Sequence, residues 1–496
     1  MIYSRKTLLT AFFALLLVKS AFAANAILNH TATLGANGFA CDNGKLYVAS
    51  SGGLYCRNQL TGVGTLFNNS AVFPDPALTA IALDASGVLW MGSQNGYLYK
   101  REKNGLQIVV TAYAAAGWPI TSIMAYGRYI IIGSEKGCSV LDAAKLVVLK
   151  NATEFSATVP GSRVNAITVF RDTLLLGCDL GVVKLYAAGS RLSDANFYDP
   201  SIWSIDSSMS RPVRAFTVRA SGYRVFDTPG AMLGESIFTG RPEGDSSALF
   251  INGNRSLGLS SRVTCMTIDS IRKTCLIGTK LHYFYEWDGT HLLSDNIQGP
   301  TFTTVLRVFV DHRSDLWACP EIGAGTTNPW WEGISVYTNN AWTLHSPLNS
   351  PGMGSITGNN IFRGVAEDRM GNMWFGTPFG GVKRYDREKK SWSQYSVSER
   401  SNGPQFVKAG NVAYRGKCDA VARDSAGFLW MASWENYSGC LIGYDPDFEP
   451  VPSATTPQTR HYKRFWPQEH PYYSENITCL NVDKANNIFA GSDQNK

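Results

Sequence analysis

Charge is scarce in this chain: Asp, Glu, Lys and Arg together make up 17% of its 496 residues. So thin a cover leaves little room for disorder, which is sustained by charge-rich, apolar-poor segments. With Arg5, Lys6 and Lys19 of the N-terminus set aside, 42 basic residues face 39 acidic ones. That balance argues against nucleic acid as a partner. Histidine is rarer still. The seven copies are scattered, none within four positions of another, and there is no Cys-x-x-Cys pair, so no zinc site is expected. Ten cysteines in a chain of this length do not make a disulfide scaffold. Cys265 and Cys275 lie at near-equal distances from Ser270 and are placed to face each other across a hairpin. Cys41 and Cys56, like Cys418 and Cys440, fall on first and third strands, which are not neighbours within a sheet. Most of the cysteines read as small buried apolar residues. Missing too are a Gly-x-Ser-x-Gly elbow, a His-Glu-x-x-His helix, a phosphate loop and an acidic calcium run. No cofactor is implied. After residue 23 no apolar run reaches eighteen residues, so the remaining chain holds no membrane-spanning helix.

Glycine and aromatics are abundant instead, with 47 glycines and 12% Phe, Trp and Tyr. They are organised around one phrase, "IFRGVAEDRMGNMWFGTPFGGVKRYD", from Ile361 to Asp386. An apolar run ending at Val365 and Ala366 predicts a first strand. Asp368 and Gly371 predict a tight reversal, the short acceptor fixing the turn and glycine supplying positive φ. Met373 to Phe375 forms a second strand, Gly380 and Gly381 turn again, and Val382 to Tyr385 forms a third.

The phrase recurs with Asp84, Gly87 and Trp90, and with Asp424, Gly427 and Trp430. Weaker copies hold Asp311 with Trp317 and Asp483 with Phe489. Others keep only strand, turn, strand and glycine, and one copy takes Val213 to Val218 as its first strand and Leu233-Gly234 in its second. Aligned on the small residue that ends the second strand, the copies fall at Ala49, Gly92, Gly133, Gly177, Gly234, Gly278, Ala318, Gly376, Ala432 and Gly491. The steps of 40 to 59 residues give about ten units. Such a period, with several short strands in each unit, predicts an all-β protein, a β-propeller of four-stranded blades. A solenoid would have shorter and more uniform turns.

Asp-x-x-Gly-x-Leu/Met-Trp-Met/Phe-Gly/Ala-Ser/Thr followed by Gly-Gly-Val-x-x-Tyr resembles the two-component regulator propeller repeat. The resemblance implies an extracytoplasmic bacterial propeller used in environmental sensing or surface assembly. It carries no catalytic residue across, because the matched positions are structural in that family. The Asp, Gly and Trp of the hairpin are also similar to the Asp-box of sialidases, whose chemistry further needs an arginine triad and a tyrosine nucleophile.

Residues 1–23 read as a secretory signal. Arg5 and Lys6 form its basic region, Leu8 to Val18 its apolar core, and Ala21-Phe22-Ala23 its cleavage site. The mature chain is expected to be periplasmic, secreted or at the cell surface. Residues 24–350 are expected to form the propeller as a seven-bladed ring, with 351–496 opening a second ring whose last blade is incomplete. The alternative is one ring of eight to ten blades. The final blade is completed either by Ile27 to Leu34 or by a longer natural product.

Loops from second to third strands border the channel mouth, where propellers bind ligands. Two of them are expanded. Residues 319–333 offer Glu321, Trp330, Trp331 and Glu332, and residues 433–439 offer Trp434, Glu435, Asn436 and Tyr437, with Phe379 on the blade between. Aromatic faces beside carboxylates and amides suit a sugar ring or a peptide. The same side chains also serve as blade caps or a subunit contact. The function that follows is non-catalytic binding of a glycan, peptide or cell-envelope protein. The alternative is a polysaccharide lyase or glycoside hydrolase built on two of these carboxylates.

Overall fold

The structure, a computed structural model, describes residues 35–492 apart from connecting segments, the longest of which are 187–198, 321–332, 354–361, 396–416, 447–461 and 466–476. The signal segment 1–23 and Ile27 to Leu34 lie outside the described residues. What is described is all-β. Nine antiparallel four-stranded sheets follow one another, each with its strands in chain order, at 36–67, 78–109, 120–152, 164–205, 230–259, 263–296, 305–345, 364–395 and 418–465. Two-stranded units stand at 215–226 and 477–492, and a short ribbon at 154–160. In chain order the sheets and the first two of these units are blades 1 to 11, with 215–226 as blade 5 and 477–492 as blade 11.

The copy aligned on Gly234 is two units. Ala215–Arg219 pairs with Gly222–Phe226 as a separate hairpin. Gly234 sits in the turn between Gly230–Leu233 and Ser236–Glu243. The small residue of that second strand is Gly240, whose Cα hydrogens face Val263 of the next blade. The spacing across this stretch concealed the split, because the hairpin is half a blade long.

Each blade's first strand packs on the first strand of the next. The contacts run from blade 1 through blade 7, and the first strand of blade 7 (Val263–Asp269) returns to that of blade 1 (Ala36–Asp42). The circuit closes within residues 36–296. Blade 8 (305–345), expected inside the first ring, packs on blade 9, and the contacts continue to blades 10 and 11.

The Asp turns set the hairpins. The Asp84 carboxylate accepts from the Ser86 and Val88 amides and from Trp90 Nε1 at 3.0 Å. The same indole bond recurs from Trp317 to Asp311 at 2.7 Å, Trp374 to Asp368 at 2.8 Å and Trp430 to Asp424 at 2.9 Å. In the Asp483 turn Asn487 Nδ2 takes the place of the indole. The residue three after the aspartate has positive φ each time: Gly87, Gly371 and Gly427, but also Ser314 and Asn486. Glycine is the cheaper choice at that position, not an obligatory one. Burial opposes ionisation of Asp84 and Asp311, but the donors around them outweigh it and hold both below the usual carboxylate range.

The cysteine pairing expected across the blade 7 hairpin does not form. Cys265 lies opposite Gly278 and Cys275 opposite Ile268. The hairpin turn is centred between Ile271 and Arg272 rather than at Ser270, so the regular register from Cys265 to Asp269 sets the two thiols three positions apart.

Blades 8 and 9 share an aromatic core of Trp317, Phe362, Phe375, Tyr385 and Trp392 around His345, whose ring centroid is 4.9 Å from that of Tyr385. Burial lowers the His345 pKa to about 4. An unfolded histidine titrates near 6.5, so between about pH 6.5 and 4 the unfolded chain takes up a proton that the folded chain refuses. Stability is expected to fall by up to about 1.4 kcal/mol per pH unit across that window. Thermal melts of wild type and His345→Phe at pH 7 and pH 4.5 check this, with the variant losing less on acidification. Asp368→Ala, which strands buried donors, is expected to cost about 2–4 kcal/mol. Asp483→Ala, in an exposed turn, is expected to cost under about 1 kcal/mol. Denaturant titration of the two variants compares them.

Candidate functional site

The first strand of most blades opens with an apolar residue, then a polar one, then a small one: Ala36-Asn37-Gly38, Leu78-Thr79-Ala80, Ile120-Thr121-Ser122, Val164-Asn165-Ala166 and Val263-Thr264-Cys265. In these blades the pairing with the second strand shifts register across the polar residue, making a bulge. A bulge inserts one residue and re-aims its side chain.

Here the extra side chains reach the next blade. Asn37 Nδ2 donates to the Leu78 carbonyl at 2.8 Å. Thr79 Oγ1 donates to Ile120 O, Thr121 Oγ1 to Val164 O, and Thr264 Oγ1 to Ala36 O, which joins blade 7 to blade 1. Each acceptor is the residue just before the next blade's own bulge. Among the described residues, equivalent latches thus span four of the ring's seven seams.

The same positions line a cavity of about 390 Å³ at one mouth of the channel. All seven blades of the circuit contribute. Asn37, Thr79, Thr121, Asn165 and Thr264 form the wall, Gln94 comes from a second-to-third-strand turn, and Pro119, Arg163, Arg214 and Pro229 come from segments entering first strands. The mouth therefore opens on the face to which second-to-third-strand and blade-to-blade connections lead.

Its polarity is organised by Asn165. The amide Oδ1 accepts from Arg214 at 2.7 Å and from Arg163 Nε at 3.1 Å, while Nδ2 donates to Asp179 at 2.8 Å. Arg163 also pairs with Glu135 at 3.2 Å and Arg214 with Asp179 at 3.4 Å. Two guanidinium groups are thus held at the rim with their charge matched by two carboxylates set behind them. Among the described residues the lining contains hydroxyls, amides and guanidinium groups but no Asp or Glu. Such a surface offers hydrogen bonds to a neutral polar ligand rather than an excess of field for an anion. Cys265 is part of the lining, and burial pushes its thiol up to about 12, which disfavours the reactive thiolate.

The aromatic loops expected to carry the site lie elsewhere in the chain. Glu321, Trp330, Trp331, Glu332, Phe379, Asn436 and Tyr437 fall outside the described residues. Trp434 and Glu435 are described in backbone only: they end the strand Leu429–Glu435, opposite Gly439 and Ser438. That part of the expected loop is an extension of the blade 10 ladder. The turn beside Phe379 is tight, with the Thr377 amide donating to Gly381 O at 2.9 Å. The funnel was missed because its residues are common polar types. Their signal is positional: Asn or Thr between an apolar and a small residue at the start of successive repeats.

Removing a latch isosterically is expected to leave a carbonyl without its donor. Thr264→Val, at the seam of blades 7 and 1, is expected to cost about 1 kcal/mol and to lower the melting temperature by roughly 2–4 °C, as read by scanning calorimetry.

Residues 355–379 match the two component regulator propeller family. A comparison with curated proteins finds no match. Among solved structures the chain is similar over 94% of its length to 79% of PorZ, an essential bacterial surface component of the type-IX secretion system of Porphyromonas gingivalis, at 13% identity and a TM-score of 0.45. It is similar over 94% of its length to the extracellular domain of the putative one component system BT4673 from B. thetaiotaomicron, at 14% identity and a TM-score of 0.31, and spans 59% of that chain. A third similarity covers 92% of the chain and 60% of the extracellular domain of the putative hybrid two component system BT3049 from B. thetaiotaomicron, at 18% identity and a TM-score of 0.28. Among the described residues no helix is long and apolar enough to cross a membrane. In the unit built on Asp368, Gly371 and Trp374, this β-propeller chain carries the repeat of the two-component regulator propeller family.

Proposed function

We propose that this chain is a non-catalytic, extracytoplasmic recognition propeller that takes a hydroxyl-rich ligand, a glycan in preference to a peptide or a cell-envelope protein, at the channel mouth of blades 1–7. The observation that carries this reading is the funnel around Asn165. Amide, hydroxyl and charge-balanced guanidinium groups from six of the seven blades converge there on one cavity. Alternating donors and acceptors of this kind match the hydroxyls of a sugar, and an apolar floor is not needed to orient it. The secretory signal at residues 1–23 and the repeat match support an extracytoplasmic setting in sensing or surface assembly.

A lyase or hydrolase would need two carboxylates across a cleft, about 5–10 Å apart. Among the described residues the funnel lining supplies none. The loops holding Glu321, Trp330, Trp331, Glu332, Phe379, Trp434, Glu435, Asn436 and Tyr437 stand as a second contact surface for the same class of ligand, proposed from sequence.

A glycan and peptide array probed with residues 24–496 tests the reading. Selective glycan binding is expected, with Asn165→Ala/Arg214→Ala weakening it tenfold or more, a loss of about 1.4 kcal/mol. Retained binding in that variant and loss in Trp331→Ala/Trp434→Ala would move the site to the loops. Binding to no glycan or peptide would leave a protein partner.

A further inference from the structure

The hydroxyls and guanidinium groups of the funnel differ in what they can still offer. A carbonyl oxygen only accepts, so a hydroxyl that lies on one has its single hydrogen committed and presents lone pairs elsewhere. Thr79 Oγ1 lies on Ile120 O and, at 3.2 Å, on Gly92 O, while Thr121 Oγ1 lies on Val164 O and Thr264 Oγ1 on Ala36 O. Asn37 has its amide nitrogen drawn to Leu78 O, which leaves Oδ1 to accept. Blades 7, 1, 2 and 3 therefore line the cavity with an arc rich in acceptors, to which the exposed Gln94 adds an amide of either sense.

The neighbouring arc has the opposite sense. Arg163 and Arg214, at the entries to blades 4 and 5, carry donors only. Asn165 is already engaged on both sides of its amide, with Oδ1 accepting from both arginines and Nδ2 donating to Asp179. The two arginine side chains are 45% and 41% exposed, and their carboxylate partners Glu135 and Asp179 are 40% and 43% exposed. Guanidinium hydrogens and carboxylate lone pairs thus stand side by side at this part of the rim.

We propose that the funnel selects sugars bearing an acylamino group, the N-acetylhexosamines being the simplest, with the acyl carbonyl on Arg163 and Arg214 and ring hydroxyls donating to Thr79, Thr121 and Thr264. The proposal rests on the glycan reading above and adds the chemistry that the two arcs discriminate. A hydroxyl serves either arc, so a plain hexose gains no preferred direction. A carboxylate supplies acceptors but brings its charge to guanidinium groups already matched by Glu135 at 3.2 Å and Asp179 at 3.4 Å, where it meets like charge. A free amine sets another cation beside the arginines. Of these groups only the acylamide is neutral, offers a carbonyl with two lone pairs to two guanidinium groups, and keeps an N–H for the half-exposed carboxylates.

NMR titration of residues 24–496 with matched sugars tests this: N-acetylglucosamine against glucose and glucosamine, N-acetylgalactosamine against galactose and galactosamine, and N-acetylmannosamine against mannose. The acetamido sugar is expected to bind about tenfold or more tighter than its matched hexose in one or more sets. Arg163→Met/Arg214→Met is expected to bring that ratio to within about twofold. Thr79→Val is expected to weaken both members alike and keep the ratio, which loss of folded protein cannot change; melting curves verify the fold of both variants. Sugars bound without preference for the acetamido group, or a preference that survives the arginine substitutions, would overturn the inference and leave the glycan reading standing. Binding to none of these sugars and to no glycan of the array would overturn both.

Discussion

The bulged residue that opens the first strands of blades 1–4 and 7 is the constraint on which much of the first ring depends. A sheet in isolation has two faces to bury and no means of choosing the angle at which its neighbour lies. The extra residue turns a hydroxyl or amide out of the ladder and onto the carbonyl of the next blade, from Asn37 to Leu78, Thr79 to Ile120, Thr121 to Val164 and Thr264 to Ala36. These bonds are individually modest, near 1 kcal/mol each. Their value is geometric: each fixes the rotation at its own seam, and the last of them joins blade 7 to blade 1. Packing then follows, because an apolar side chain one position earlier meets a glycine on the neighbouring sheet.

The same residues explain why a polar cavity forms at the channel mouth. Side chains that latch neighbouring blades must lie at the inner edge, and an inner edge repeated seven times encloses a cavity. The polar character of that cavity is thus a by-product of closing the ring. Where the latch is replaced, as with Asn165 and the arginines it orients, the groups are released from holding blades together and become available to a ligand. Latch and cavity lining share one position in the repeat, distinguished by whether the side chain reaches a carbonyl or only another side chain.

On the opposite side of the blades the aspartate turns do purely structural work. The carboxylate collects the donors of a three-residue loop and ties them to an indole packed between sheets, as in Asp368 with Trp374. Successive turns also touch: the His312 amide donates to Glu367, and the Ser425 amide donates to Asn486. One rim of the molecule is therefore held by turn contacts and the other by latches.

Much of this was legible from the chain alone. Strand, turn and strand around Asp84, Asp368 and Asp424 follow from the sequence because turn chemistry is local: a carboxylate reaches amides only two to four residues away, and positive φ is a property of one residue. The all-β class and the repeat follow from the same locality. The number of blades in the circuit does not, since it depends on the small rotation between sheets, which no residue type reports. The split between blades 5 and 6 was hidden for a related reason, a hairpin of half length inside a normal interval. The register of Cys265 and Cys275 also escaped, because it is set by where the turn is centred, between Ile271 and Arg272 rather than at Ser270. The funnel lies beyond sequence for the deepest reason: Asn37, Asn165 and Thr264 are ordinary residues far apart in the chain, and only closure of the ring makes them neighbours.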